Sequence, residues 1–304
     1  MADNLLPSIN SFTPNSNRTD FSDIIGIMVD FPIDNDSETS GNGKFLRPFQ
    51  ENSSGEFEYI NNPSQVQIDD YIDSITNYIN YTSQYRCSNK DEFLLDRPPH
   101  NQEYFKQQLI ALKNYYTSIS NYENENPIPI FGTHMLPHTY TLDNPMSYYA
   151  SSDNQIGLLF AEGLEKAAVD LENFMDDYNY STTLFVIFHA GLGQEASEGF
   201  DPTIYDIKSA YVDNEMLDNI PDEYTIIDNL MDGSDFLGGI VMPETMNWIY
   251  YDVIEDIYPN DLFSYSNLEN LYCDIQLGMT GLFSYLVGYK YGFQPLHNIN
   301  NGTT

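Results

Sequence analysis

Basic residues are scarce in this chain. Its 304 residues include 11 Lys and Arg against 46 Asp and Glu, a formal net charge of -35. A surface of that sign repels phosphate backbones and anionic headgroups, which argues against nucleic-acid and membrane-surface partners. Cysteine is scarcer still. Cys87 and Cys273 allow one long-range bridge or two buried thiols, and they fix no compartment. No apolar run approaches the roughly 18 residues that a membrane helix requires, so no membrane insertion is expected. The opening Met1–Pro7 lacks the basic and long apolar regions of a leader, so the chain reads as intracellular or as a segment without its leader. No Gly-x-Ser-x-Gly elbow occurs and neither cysteine has an activating context, which sets aside a non-metal hydrolase.

What is present is apolar and aromatic. Hydrophobic residues make up 41%, enough for a substantial core, and 25 Tyr and 18 Phe dominate them. Many of those phenols must reach water or a polar partner, which suits protein or glycan contacts. The acidic surface draws cations, and calcium is the natural one for clustered carboxylates. Asp34, Asp36 and Glu38 are the candidate ligands. Their loop lacks the glycine and the closing glutamate of a calcium hand.

Residues 1–22 read as a polar lead-in, and 23–304 as one domain. Ile24–Phe31, Leu184–Phe188 and Leu237–Met242 are short apolar runs suited to buried strands, the last ended by Pro243-Glu-Thr245. Residues 50–100 read as an irregular excursion, punctuated by Arg97-Pro-Pro-His100. Phe105, Leu109, Leu112, Tyr116 and Ile119 form one helical stripe. Leu158, Ala161, Leu164, Ala168, Leu171 and Met175 form another, on a single helix from about Asn154 to Met175. Residues 197–235 are acidic loop, and Tyr250–Tyr258 is a short helix or strand. The order of elements predicts an α/β (α+β) layering. His134 and His138 stand four apart, but Pro137 opposes the helix that would align them on a metal.

The segment Gly281–Asn298 carries a frame without its chemistry. A zinc-protease helix reads His-Glu-x-x-His, because imidazoles one turn apart reach one metal and the glutamate serves as base. The corresponding positions here are Tyr285, Leu286 and Tyr289, while Gly288 and Gly292 keep the places of the motif's glycines. A neutral phenol is a poor zinc ligand, and leucine takes no proton from water.

Six segments, in order, resemble the immune inhibitor A family of secreted bacterial metallopeptidases and its divergent surface-protein relatives. They are Ile25-Gly-Ile-Met-Val-Asp-Phe-Pro32 with Ser40–Phe45; Arg97–Phe105 leading into Leu112–Tyr116; Pro145–Tyr149; Phe185–Gly193; Gly239–Thr245; and Gly281–Asn298. The resemblance implies a zincin-like fold: a twisted mixed sheet, a backing helix, and an active-site helix near the C-terminus. It implies an extracellular or cell-surface location. It also places the family's metal ligands on Tyr285, Tyr289 and Pro295 and its catalytic base on Leu286. Zinc is therefore not expected. The domain ends early for this family, which predicts a truncated C-terminal side.

The resulting expectation is a catalytically inactive metallopeptidase-like domain that binds or scaffolds a protein or glycan at the cell surface. Two alternatives stand beside it. One is an active zinc enzyme with non-standard ligands, drawing on His134, His138, His189 and His297 with Glu195 or Glu244 as base. The other is a calcium-dependent adhesive module. His189, Glu195 and Glu244 are the residues expected at the cleft.

Overall fold

Three apolar runs and one more polar edge segment lie side by side as parallel strands. The computed structural model describes residues 21–60, 62–71, 96–120, 131–175, 180–196, 203–218, 220–221, 224, 236–247 and 278–291. Among them, β1 (Asp23–Asp30), β4 (Gly132–Thr141), β5 (Thr183–Leu192), β6 (Ala210–Val212) and β7 (Gly239–Thr245) form one sheet in the order β4-β1-β5-β7-β6. All pairs are parallel except β6 against β7. A separate small hairpin pairs β2 (Phe49–Glu51) with β3 (Phe57–Tyr59).

Helices cover both faces, which is why the central strands read as continuous apolar runs and not as alternating ones. One layer holds α1 (Gln102–Ser120) and α6 (Met279–Lys290). The other holds α2 (Met146–Tyr149), α3 (Asp153–Lys166), α4 (Ala168–Met175) and α5 (Asn214–Leu217). Every residue of β5 is buried. Phe188 points at the first layer, with its ring 4.7 Å from Phe105 and 5.8 Å from Phe283. Ile187 points at the second, where Gly163 of α3 admits it. A Cβ on Gly163 would lie 2.4 Å from the Ile187 side chain, so the helix sits this close only because that position is glycine.

Three sequence expectations shift. The predicted single helix 154–175 is two helices that break at Ala167. α3 lies across the sheet from β4 and β1 to β7 and β6 and packs on α5, whereas α4 meets the sheet chiefly at β4, with Leu171 buried. Leu158 and Ala168 are only partly covered, and Ile156, Leu159 and Phe160 carry the packing instead. Ile119 is 39% exposed, so the stripe of α1 closes on Tyr116 and Ser120. β7 continues through Pro243 to Thr245. Among the described residues β6 pairs only with Gly239–Val241, so no strand lies beside Pro243 on that side to be denied a hydrogen bond.

Pro137 likewise lies on an edge strand. The register of β4 against β1 slips between Gly26 and Met28, and Pro137 and His138 are exposed at the slip. The stretch expected as acidic loop contributes β6 and α5. Tyr250–Tyr258, Cys87, Cys273, Pro295 and His297 lie outside the described residues.

Candidate functional site

The helix with the protease frame is anchored by its apolar side chains. α6 begins after Gly278 and buries Met279, Phe283, Leu286 and Val287 against the sheet and α1. The Tyr116 hydroxyl donates to the Ser284 carbonyl at 2.7 Å, which fixes the helix along α1. Tyr285 and Tyr289, one turn apart, share a face. The Tyr289 hydroxyl donates to that of Tyr285, and their rings meet edge to face at 5.0 Å. Tyr211 of the antiparallel strand β6 stands beside them, 6.4 Å from the Tyr289 ring. Burial pushes both phenols above their ordinary titration range, and in Tyr289 the bond to Tyr285 adds to that. Both are therefore neutral near neutral pH. Leu286 is wholly buried in the core.

The charged chemistry of the described chain lies elsewhere, at the C-terminal ends of the parallel strands. This is where open α/β sheets hold ligands, at the point where strand order reverses. That point falls here between β1 and β5. It is filled by the chain's own loop after β1: Phe31 N–H donates to Gly43 at 2.9 Å, and Leu192 N–H donates to the Ser40 hydroxyl at 2.8 Å.

Two acids end buried strands in this region. Asp30 closes β1 at 1% exposure and receives Lys44 at 3.0 Å, the Thr141 hydroxyl at 2.6 Å and the Tyr59 hydroxyl at 2.8 Å. Glu244 near the end of β7 is fully buried. It accepts from Leu46 N–H at 2.6 Å and Gly191 N–H at 3.1 Å, and it lies 2.7 Å from His100 Nδ1. The other nitrogen of His100 lies 2.6 Å from the Asp96 carbonyl. A carbonyl only accepts, so Nε2 carries hydrogen, and a further proton lies between Nδ1 and Glu244.

The Asp96 carboxylate in turn accepts from Asn247 at 3.0 Å, and burial holds its pKa up. Arg47 lies 4.4 Å over the Tyr59 ring, and its pKa is lowered by burial against the opposing pull of Tyr59, Asp30 and Glu244. These bonds tie three separate loops to the sheet. A buried acid–imidazole pair of this kind survives only when its remaining lone pairs and protons are met, and here they are.

The three residues expected at the cleft do not converge. Glu244 faces His100 and the start of α1. His189 faces the opposite layer, with its ring 6.3 Å from Phe31, which packs on Tyr149. Its Nδ1 lies 3.0 Å from the Ala190 carbonyl, while Nε2 is buried with no partner. Burial lowers its pKa to about 4, so the ring is neutral. Glu195, on a short turn after β5, accepts from the Ser209 backbone N–H and from its hydroxyl at 3.1 Å. Its carboxylate is desolvated although the residue as a whole is only half-buried, and burial raises the pKa to about 7 against those bonds.

The remaining candidates are also separated. His134 pairs with Asp23 at 3.2 Å and His138 with Asp170 at 2.7 Å, so the two imidazoles turn to different carboxylates. In the loop after β1, Asp34 Oδ1 accepts from Asp36 N–H at 3.3 Å, and Asp36 Oδ1 accepts from Glu38 N–H at 2.9 Å. Those oxygens stabilise the turn. Among the described residues no three His, Cys, Asp or Glu side chains group to hold a metal, and no helix is long and apolar enough to cross a membrane.

Sequence reasoning missed the His100–Glu244 pair, because His100 was read as part of a punctuating Pro-Pro segment. A signal was present. Asp30 and Glu244 each follow an unbroken apolar run, and an acid at the end of a buried strand requires partners. No family model, no curated protein and no solved structure matches the chain.

Proposed function

We propose that this chain is a catalytically inactive, zincin-like metallopeptidase domain, serving as a binding or scaffold module at a bacterial cell surface. The observation that carries this reading is the face of α6. Where the resemblance calls for two imidazoles and a carboxylate, two neutral phenols bond to each other and a leucine is packed into the core. A metal that needs three well-placed nitrogen, sulfur or oxygen ligands finds none in that set. The architecture around it supports the finer fold reading. A mixed sheet ends in an antiparallel edge strand beside α6, and α1 backs the sheet as the family's long helix would.

The decisive experiment is metal analysis of the purified chain after chelation and reloading with zinc or calcium, alongside a peptide-cleavage assay. The expected result is no stoichiometric zinc and no cleavage above background. One tightly held zinc per chain with cleavage would replace this reading with the active enzyme. Calcium retention with a raised Tm would replace it with the adhesive module.

A further inference from the structure

We infer that the β2–β3 hairpin is a docking ledge for a basic, Arg- or Lys-bearing peptide segment of a partner protein. The inference does not depend on how α6 is read. Pairing aligns Phe49 with Tyr59 and Glu51 with Phe57, which puts those four side chains on one face of the hairpin. The Phe49 and Phe57 rings stack at 4.7 Å and 27°, and Phe57 meets Tyr59 edge to face at 4.8 Å.

The inner end of this aromatic row is occupied by the chain's own cations. Lys44 lies 5.4 Å from the Phe57 ring centre and Arg47 lies 4.4 Å from that of Tyr59. Both are turned inward and nearly buried, with Lys44 held by Asp30. The outer end is open: Phe49 is 52% exposed. Beside it on the same face stands the exposed Glu51, with Glu56 exposed in the connecting turn and Glu58 exposed on the opposite face. An aromatic face with the Glu51 carboxylate at its edge, on a chain of net charge -35, complements a cation that also brings apolar stem to bury. The row already binds cations at its inner end, so the outer position extends a pattern the fold itself uses.

The test measures anisotropy of a fluorescein-labelled peptide of alternating Gly and Arg, titrated with the full chain at physiological ionic strength. Phe49→Ala is expected to weaken binding about two- to fivefold, the range for an exposed cation–aromatic contact, and Phe49→Trp to tighten it. Glu51→Gln weakens it less. Glu172→Gln, on exposed α4 away from the hairpin, controls for the general acidic surface and leaves it nearly unchanged. Phe49 is half exposed, so these variants keep the fold, and circular dichroism checks that. The inference is overturned if the peptide does not bind, if Phe49→Ala and Glu172→Gln act alike, or if a neutral oligosaccharide binds through Phe49 while the peptide does not.

Discussion

The C-terminal end of the sheet and the Tyr285–Tyr289 face of α6 carry opposite kinds of chemistry. At the strand ends, acids, an imidazole, a lysine and an arginine are packed away from water and bonded to one another and to backbone. On α6, positions 285, 286 and 289 hold two phenols and a leucine. Charged side chains in this protein therefore hold loops in place. Their burial tells more about architecture than about reactivity, because a buried charge persists only when every partner is supplied.

The sharpest way to break that contrast is to remove one member of the buried pair. His100→Ala or Glu244→Ala should cost about 3–5 kcal/mol of unfolding free energy in urea titrations, since each leaves an uncompensated buried group. A His100→Phe/Glu244→Leu double variant should cost less than either, which marks the pair as structural. If the single variants prove nearly neutral, the strand-end network is not what secures the loops.

The pH dependence of stability is the next largest effect, and two of its sources have opposite signs. Folded His189 titrates near 4 and an exposed imidazole near 6.5. Below pH 6.5 the unfolded chain takes up a proton that the folded one refuses. Stability thus declines as pH falls from 6.5 to about 4, by about 3 kcal/mol in total. Glu195 works the other way. Its folded pKa of about 7 exceeds the usual 4.5, so stability declines as pH rises from 4.5 to 7. His189→Leu should flatten the acid side of the profile and Glu195→Gln the neutral side, as read by chemical denaturation at stepped pH.

The α6 face is sharpened by introducing ligands. Tyr285→His with Tyr289→His places two imidazoles one turn apart. Zinc should then raise the unfolding free energy by about 2–3 kcal/mol once it reaches a hundredfold excess over Kd. Leu286 is better left in place, because a glutamate there would enter the core without a partner. No zinc response from this pair, and none once Pro295→Asp supplies a third ligand, would mean that this face is not a vacated metal site. The smallest effect is expected from Tyr289→Phe, which removes the phenol–phenol bond and should cost about 1 kcal/mol in thermal or urea unfolding.

Much of the layering was legible because it depends on apolar periodicity. The run Ile24–Phe31 and the stripe from Phe105 to Tyr116 could hardly form anything other than a buried strand and a packed helix. The end of β7 was not legible, since proline forbids a hydrogen bond only where a neighbour needs one, and the short reach of β6 is not written beside Pro243. The break at Ala167 was equally hidden, because alanine there satisfies a continuous helix and only the two different packing surfaces separate α3 from α4. At the α6 face, residue identity gave the phenols and the leucine directly, whereas the bond between the two phenols required the helix to be placed.

By itself the sequence determined the mixed α/β class, the acidic exterior and the absence of imidazole and carboxylate at Tyr285, Leu286 and Tyr289, because each follows from local side-chain chemistry. Tertiary structure alone decided that His189 faces away from α6 and that His100, from a segment far along the chain, completes Glu244. The partners of a buried polar group are set by which distant loops the fold brings within bonding distance, and no local pattern encodes that.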